Sequence, residues 1–221
     1  PWLSVRVGAE GTRAMRKTVW TALAVFVVVL ILAAWLMFDA YGVTRAEGVS
    51  RLRFQARVLA EQAANGIDEY FDYYYHTLHF LAALPAVRDM GEDGEATLRT
   101  FHEEQRGNVR AVTRIAPDGT IAWTWPDNSV KGRDISKQEH NARFLASREA
   151  TLSRVFMAVQ GYLAVSLVVP VWRGEEFAGG LAILVPFEEI SSRYVSQIRI
   201  GESGYAILFD SDGTELYCPV P

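Results

Sequence analysis

The chain has 221 residues, half of them apolar and 22% charged, which excludes a disordered tail, and its single cysteine, Cys218, excludes a disulfide scaffold or a cysteine-built zinc cage. Arg6, Glu10, Arg13, Arg16 and Lys17 precede a long apolar run, and beyond it 18 basic residues stand against 25 acidic ones. A soluble part carrying about minus 7, with no basic stripe interleaved with aromatics, repels phosphate backbones, so nucleic acid is not an expected partner.

The first element, after a short tail over 1–17, is the run 18–38: 21 residues without a charge, dense in Val, Leu, Ile and Ala. At 1.5 Å per residue it spans about 31 Å, the thickness of a bilayer core. Trp20 and Trp35 near its ends suit the headgroup region. A cleaved signal peptide is the rival reading, but its apolar region would be about 7–15 residues long and end in small residues, whereas this run ends in Trp-Leu-Met-Phe. Arg13, Arg16 and Lys17 before the run place the N-terminus in the cytoplasm and everything after Asp39 outside. Met15-Arg16-Lys17 reads as a natural start, and both ends as cuts in a longer reading frame.

Steps of three and four from Val49 through Leu52, Leu59, Ile67, Tyr74 and Leu81 predict a long stalk helix over 44–84, closed by Pro85. Such a face suits pairing with a second copy, and a homodimer is expected. A shorter helix over 95–105 leads into a strand at 109–115, a Pro117-Asp118-Gly119 turn and a strand at 120–125. The polar stretch 136–152 is helix-compatible. Three β-rich runs follow at 154–159, 162–172 and 177–185, the last two joined by a tight Arg173-Gly174 turn. Phe187, Ile190, Tyr194 and Ile198 return to helical spacing. The segment 205–217 then forms a second strand-turn-strand around Ser211-Asp212-Gly213. Its Asp-Gly-Thr repeats that of Asp118-Gly119-Thr120 at an offset of 94, as two copies of one module would; a common turn arising twice is the alternative.

Taken in order, a long helix ending near Leu-Pro-Ala-Val, a strand with Asp-Gly-Thr, the loop Gly132-Arg133-Asp134-Ile135-Ser136, a hairpin ending Gly180-Leu181-Ala182-Ile183, a helix and Gly201-Glu202-Ser203-Gly204-Tyr205 resemble the double Cache family. The resemblance runs from about residue 55 to the C-terminus. It implies an α+β fold: a stalk helix, a PAS-like antiparallel sheet module over 85–200 that is membrane-distal, and the beginning of a second module over 201–221. It also implies a periplasmic sensor held in a bacterial inner membrane, in front of a histidine kinase first, or of a chemotaxis transducer or diguanylate cyclase. An anchored, non-signalling solute-binding accessory protein is the competing class. Amino-acid-binding members carry an Arg-x-Trp-Tyr-like element where this chain has Gln138-Glu139-His140-Asn141, and an aspartate where it has Val185-Pro186, which speaks against the amino-acid subclass.

The resemblance puts ligand contacts at the Asp134 loop and just after it, making Asp134, His140, Asn141 and Arg143 candidates; Arg143 could grip a carboxylate, and a solvated helix face is the plain alternative. Trp123, sharing a strand face with Trp125, could roof a pocket or pack the core, and Tyr162 could offer a hydroxyl or end a strand. A small polar or anionic metabolite is the expected ligand. Asp72, His76 and His79 have metal-compatible spacing, which a solvated helix face produces equally well. No cofactor is expected. His102-Glu103 lacks the second histidine of a zinc protease, and Gly201-Glu202-Ser203-Gly204-Tyr205 lacks the second glycine of a nucleophile elbow, so no catalysis is expected within the chain.

Overall fold

The computed structural model describes residues 9–201, 203–210 and 212–220. Most of the expected tail 1–17, Glu202 of the Gly201–Tyr205 element and Ser211 of the second turn lie outside the described residues. The chain divides into two units, 1–55 and 56–221. The first holds the larger part of helix α1 (Ala9–Ala83), including a segment, Val19–Tyr41, long and apolar enough to cross a membrane, with none of it buried in protein. The expected span, 18–38, and nearly all of the expected stalk, 44–84, fall within α1.

The second unit is an antiparallel sheet with helices on one face and a short helix with loops on the other. Helix α1 ends where Pro85 forces Leu84 into an extended conformation (φ −64°, ψ 128°), and a corner helix α2 (Pro85–Asp89) turns the chain into α3 (Glu92–Glu104). Strands β1 (Ala111–Ile115) and β2 (Ile121–Trp125) follow, then α4 (Glu139–Ser147), β3 (Thr151–Leu152), β4 (Phe156–Met157), β5 (Leu163–Arg173) and β6 (Glu176–Pro186). The strand order is β2-β1-β6-β5-β3, with β4 also pairing β5. The expected hairpin is present: β5 and β6 pair from Ala164 opposite Pro186 to Arg173 opposite Glu176.

Two-residue alternation sorts the strand side chains. Leu167, Val169 and Val171 of β5 and Leu181, Ile183 and Val185 of β6 face the helices, meeting Tyr74, Leu78 and Leu81 of α1. Val168 and Ala182 point the other way, toward Phe144 of α4 and Ile135. The stalk helix is fixed by Tyr74, whose hydroxyl donates to Gln105 Oε1 (2.7 Å), and Tyr70, whose hydroxyl donates to the Asn108 carbonyl (3.0 Å).

Two expected helices are shorter than their spacing suggested. The 136–152 stretch is helical only through α4, stops at Arg148 in the left-handed region (φ 57°), and gives Thr151–Leu152 to the sheet. After β6, one α-turn α5 (Phe187–Ile190) widens into a π-turn over Ser191–Val195. Ser191 and Ser192 there donate to the Glu188 and Glu189 carbonyls, competing with regular helix bonding. The strand expected at 154–159 pairs only through β4. Two small hairpins complete the chain: β7 (Arg199–Ile200) with β8 (Gly204–Tyr205), and β9 (Leu208–Phe209) with β10 (Glu215–Tyr217).

The two Asp-Gly-Thr turns share one hydrogen-bond plan. Asp118 Oδ1 accepts from the Thr120 backbone N–H (2.9 Å), and Asp212 Oδ1 from that of Thr214 (3.0 Å). Gly119 and Gly213 both have positive φ, 87° and 85°. The Ala116 N–H donates to the Thr120 carbonyl in the first turn, and the Asp210 N–H to the Thr214 carbonyl in the second.

Candidate ligand-binding site

A cavity of about 30 Å3 lies between the sheet face opposite the long helix and the cover made by α4 and the loops around 135 and 160. Thr113 and Ser166 reach it from the strands, Gln138, His140 and Asn141 from the start of α4, and Gln160 from the β4–β5 loop. The loop carrying Ile135 into its wall is held by Asp134, whose Oδ1 accepts from the Ser136 N–H (2.8 Å), and by the Ile135 N–H donating to the Gly119 carbonyl (3.0 Å). Asp134 itself is exposed and outside the cavity; the bonds from Ser136 hold its carboxyl below the usual range.

Asn141 is only 1% exposed. Its Nδ2 donates to Gln138 Oε1 (2.9 Å), and its Oδ1, like Gln160 Oε1, is buried without a hydrogen-bond partner. Leaving a buried polar atom unpaired costs about 1–3 kcal/mol, so a donor brought to either oxygen would recover that cost. The His140 ring packs against Phe156 at a 45° tilt with centroids 4.3 Å apart. Burial, and next the charge of Arg143, pull the pKa of His140 down to about 4, Glu139 acting weakly in the opposite sense.

His140 and Phe156 also line a wider hollow of about 360 Å3 on the outer side, where Arg143, Arg154, Glu139 and Asp210 stand. Arg143 is exposed and donates to the Leu152 carbonyl (2.7 Å). The expected trio is therefore divided: Asn141 lines the inner cavity, Arg143 the outer hollow, and His140 both. Tyr162 sits at a third hollow beside Phe187 and Tyr217, with the Arg110 guanidinium 5.7 Å from its ring centroid. Its hydroxyl is buried without a partner, and burial pushes its pKa up to about 12.

Trp123 does not reach the cavity. It is 3% exposed and packs in the helix-side core with Trp125 against it. The cause is a bulge between Arg114 and Ile115, where Trp123 pairs with Arg114 but Ile121 with Ile115. The extra residue turns Ile121 to the cavity and both tryptophans to the helices. Gln160, Thr113 and Ser166 were missed from the sequence; the available signal was a lone hydroxyl interrupting each of two apolar strands. Asp72 and His76 are exposed while the His79 ring meets that of Tyr75 edge to face with centroids 4.5 Å apart, and among the described residues no group of three His, Cys, Asp or Glu side chains is placed to hold a metal.

A family model described as Cache domain covers residues 45–220. The chain belongs to the Cache domain family. No curated protein sequence matches it significantly. Among solved structures, an extracellular ligand binding receptor from Desulfohalobium retbaense DSM5692 is 24% identical with a TM-score of 0.53, over 61% of this chain and 25% of that one. The ligand-binding domain of the Pseudomonas aeruginosa PAO1 amino acid chemoreceptor PctC, in complex with GABA, is 19% identical with a TM-score of 0.59, over 76% and 75%. The sensor domain of the Vibrio cholerae histidine kinase DctB is 14% identical with a TM-score of 0.54, over 65% and 58%. At such identities the likeness is one of fold. This Cache chain thus spans a quarter of the first of these proteins and somewhat over half of the last.

Proposed function

We propose that this Cache chain is the extracytoplasmic ligand-sensing region of a transmembrane receptor, and that the cavity under α4 is its ligand site. The observation that carries the reading is Asn141 Oδ1, an unpartnered acceptor on a fully buried side chain lining a cavity. His140 and Gln160 join Asn141 as ligand contacts, Arg143 stands at the approach, and Asp134 shapes the loop. The ligand is a small polar metabolite. Likeness to the sensor domain of DctB supports placing the region before a histidine kinase, and likeness to PctC supports a chemotaxis transducer as the second reading. The shared plan of the Asp118 and Asp212 turns supports a distal module over 85–200 and the start of a similar one at 201–221.

Strand β6 offers a route for the signal. Ala182 and Leu184 line the cavity, Leu181 and Ile183 pack against the stalk side, and the strand runs on into the π-turn. There the Tyr194 ring lies where a Cβ on Gly66 of α1 would be 2.8 Å away, and Arg193 donates to Asn108 Oδ1 (2.6 Å). A ligand that favours one position of β6 over another would shift this contact, provided it binds the two states unequally. A thermal-shift screen of the full chain in detergent against small metabolites tests the site: hits should be lost on Asn141→Leu or Gln160→Leu, and hits insensitive to both would place the ligand elsewhere. A fusion after Val220 to a reporter active only outside the cytoplasm tests the topology, an inactive fusion arguing against it.

A further inference from the structure

Resting on the reading of the cavity as a ligand site, we infer that the group it takes from the ligand is an uncharged hydrogen-bonding one, such as a carboxamide or a hydroxyl, and that any charge on the ligand stays in the outer hollow. Among the described residues, no Asp, Glu, Lys or Arg lines the inner cavity, whereas Arg143, Arg154, Glu139 and Asp210 all line the outer one. A charge taken into the inner space would lose its hydration without gaining a counter-charge, a cost of several kcal/mol that hydrogen bonds to neutral groups do not repay. The groups that await a partner are side-chain amides: Asn141, with its Nδ2 already committed to Gln138, and Gln160. Both open atoms are oxygens that only accept, so the matching group is one that donates an N–H or O–H; a carboxylate cannot, and an ammonium would find no counter-charge.

The two remaining polar classes agree. Thr113 Oγ1 lies 3.1 Å from Thr124 Oγ1, so the hydroxyl on the cavity floor already has a neutral partner. His140 is held neutral, and the positive charge of Arg143 contributes to that, so the field at the ring also disfavours an ammonium group. Size points the same way. By the measure in which a water needs about 10–15 Å3, a cavity of about 30 Å3 holds about two waters or one small headgroup. The body of the ligand then lies in the hollow of about 360 Å3 beyond His140 and Phe156.

The test uses four probes of similar length on the full chain in detergent, by isothermal titration: succinamide, succinamate, succinate and 4-aminobutyrate. The first two offer a neutral end and should bind at least about tenfold more tightly than the last two, which have only charged ends, a difference of about 1.4 kcal/mol. Gln160→Leu, on a half-exposed loop where folding is not at stake, should weaken the binding of succinamide and succinamate; Asn141→Asp should abolish it. If succinate or 4-aminobutyrate binds as tightly as succinamate and Gln160→Leu weakens it, the cavity is a ligand site and the neutral-group assignment is overturned. A hit from a wider metabolite panel that depends on Gln160 counts for the assignment when it carries a neutral hydrogen-bonding group and against it when all its polar groups are charged. If nothing that binds depends on Gln160 or Asn141, the site reading itself falls.

Discussion

Lowering the pH should destabilise this domain through His140 in a window set by its burial. A histidine at 6% exposure with its pKa held at about 4, against 6.5 for a free imidazole, is neutral in the folded chain where the unfolded chain already binds a proton. Because the unfolded state binds more protons between these values, stability falls as pH falls, beginning near 6.5 and nearly complete by about 4. The difference amounts to about 3 kcal/mol at full effect. Arg143 and Glu139 flank the ring on its own helix, with Arg154 and Asp210 across the outer hollow. Asp118, Asp127, Asp134 and Asp212 are held below the usual carboxylate range by their turn hydrogen bonds, so their losses come at lower pH. The assay is urea unfolding of the full chain in detergent at pH 7 and at pH 4.5, wild type beside His140→Gln. Subtracting the variant cancels the carboxylates and His79, whose pKa is also lowered by burial. The wild type should lose about 2–3 kcal/mol more than the variant over that interval. Equal losses would show that His140 is not held neutral and would refute the account of the cavity as a site without charge.

Trp123→Ala should cost about 3–5 kcal/mol in urea unfolding, as for a large core residue, while Trp123→Phe keeps the ligand response; loss of binding in the phenylalanine variant would return Trp123 to the site. Gly119→Ala should lower the thermal midpoint more than Gly213→Ala: both force a side chain to positive φ, at about 1–2 kcal/mol, but at Gly119 the new Cβ would also stand 2.5 Å from Ser136 Cβ, while at Gly213 nothing is near. Equal losses would mean that backbone strain alone matters. Gly66→Leu should push Tyr194 from the stalk and speed hydrogen exchange across Ser191–Val195; unchanged exchange would disconnect the π-turn from α1.

Elements set by neighbouring residues were legible in the sequence. Asp118-Gly119-Thr120 closes its own turn with bonds no more than four residues long, and Gly174 takes a positive φ (65°) between β5 and β6, so each hairpin is written within a few positions. Helix α1 was legible because its spacing runs unbroken over many turns. What failed was helix length where polar side chains compete with the backbone, at Ser191 and Ser192, and strand length where the partner is distant, at β4, which finds only Leu163 and Ala164 to pair with.

The candidate site was only half legible, because its lining is gathered from segments far apart in the chain. Within α4 the sequence does contain its orientation: Phe144 is fully buried, and residues three and four positions before it, Asn141 and His140, share its face, which leaves Arg143 off that face. Reading Arg143 as the anchor followed its chemistry and ignored this phase. Trp123 illustrates a different limit, since alternation correctly puts it with Trp125, but which face both occupy depends on a bulge whose cause lies in pairing with β1. The more general clue lies in residues that break an apolar pattern without being charged. Thr113 in Ala-Val-Thr-Arg-Ile and Ser166 in Leu-Ala-Val-Ser-Leu occupy fully buried strand positions where valine would pack better, and both open onto the same cavity as Asn141. The Thr113 hydroxyl is answered within the fold by Thr124, but the oxygens of Asn141 and Gln160 are not, and a neutral donor group of the proposed ligand would supply the bonds they lack.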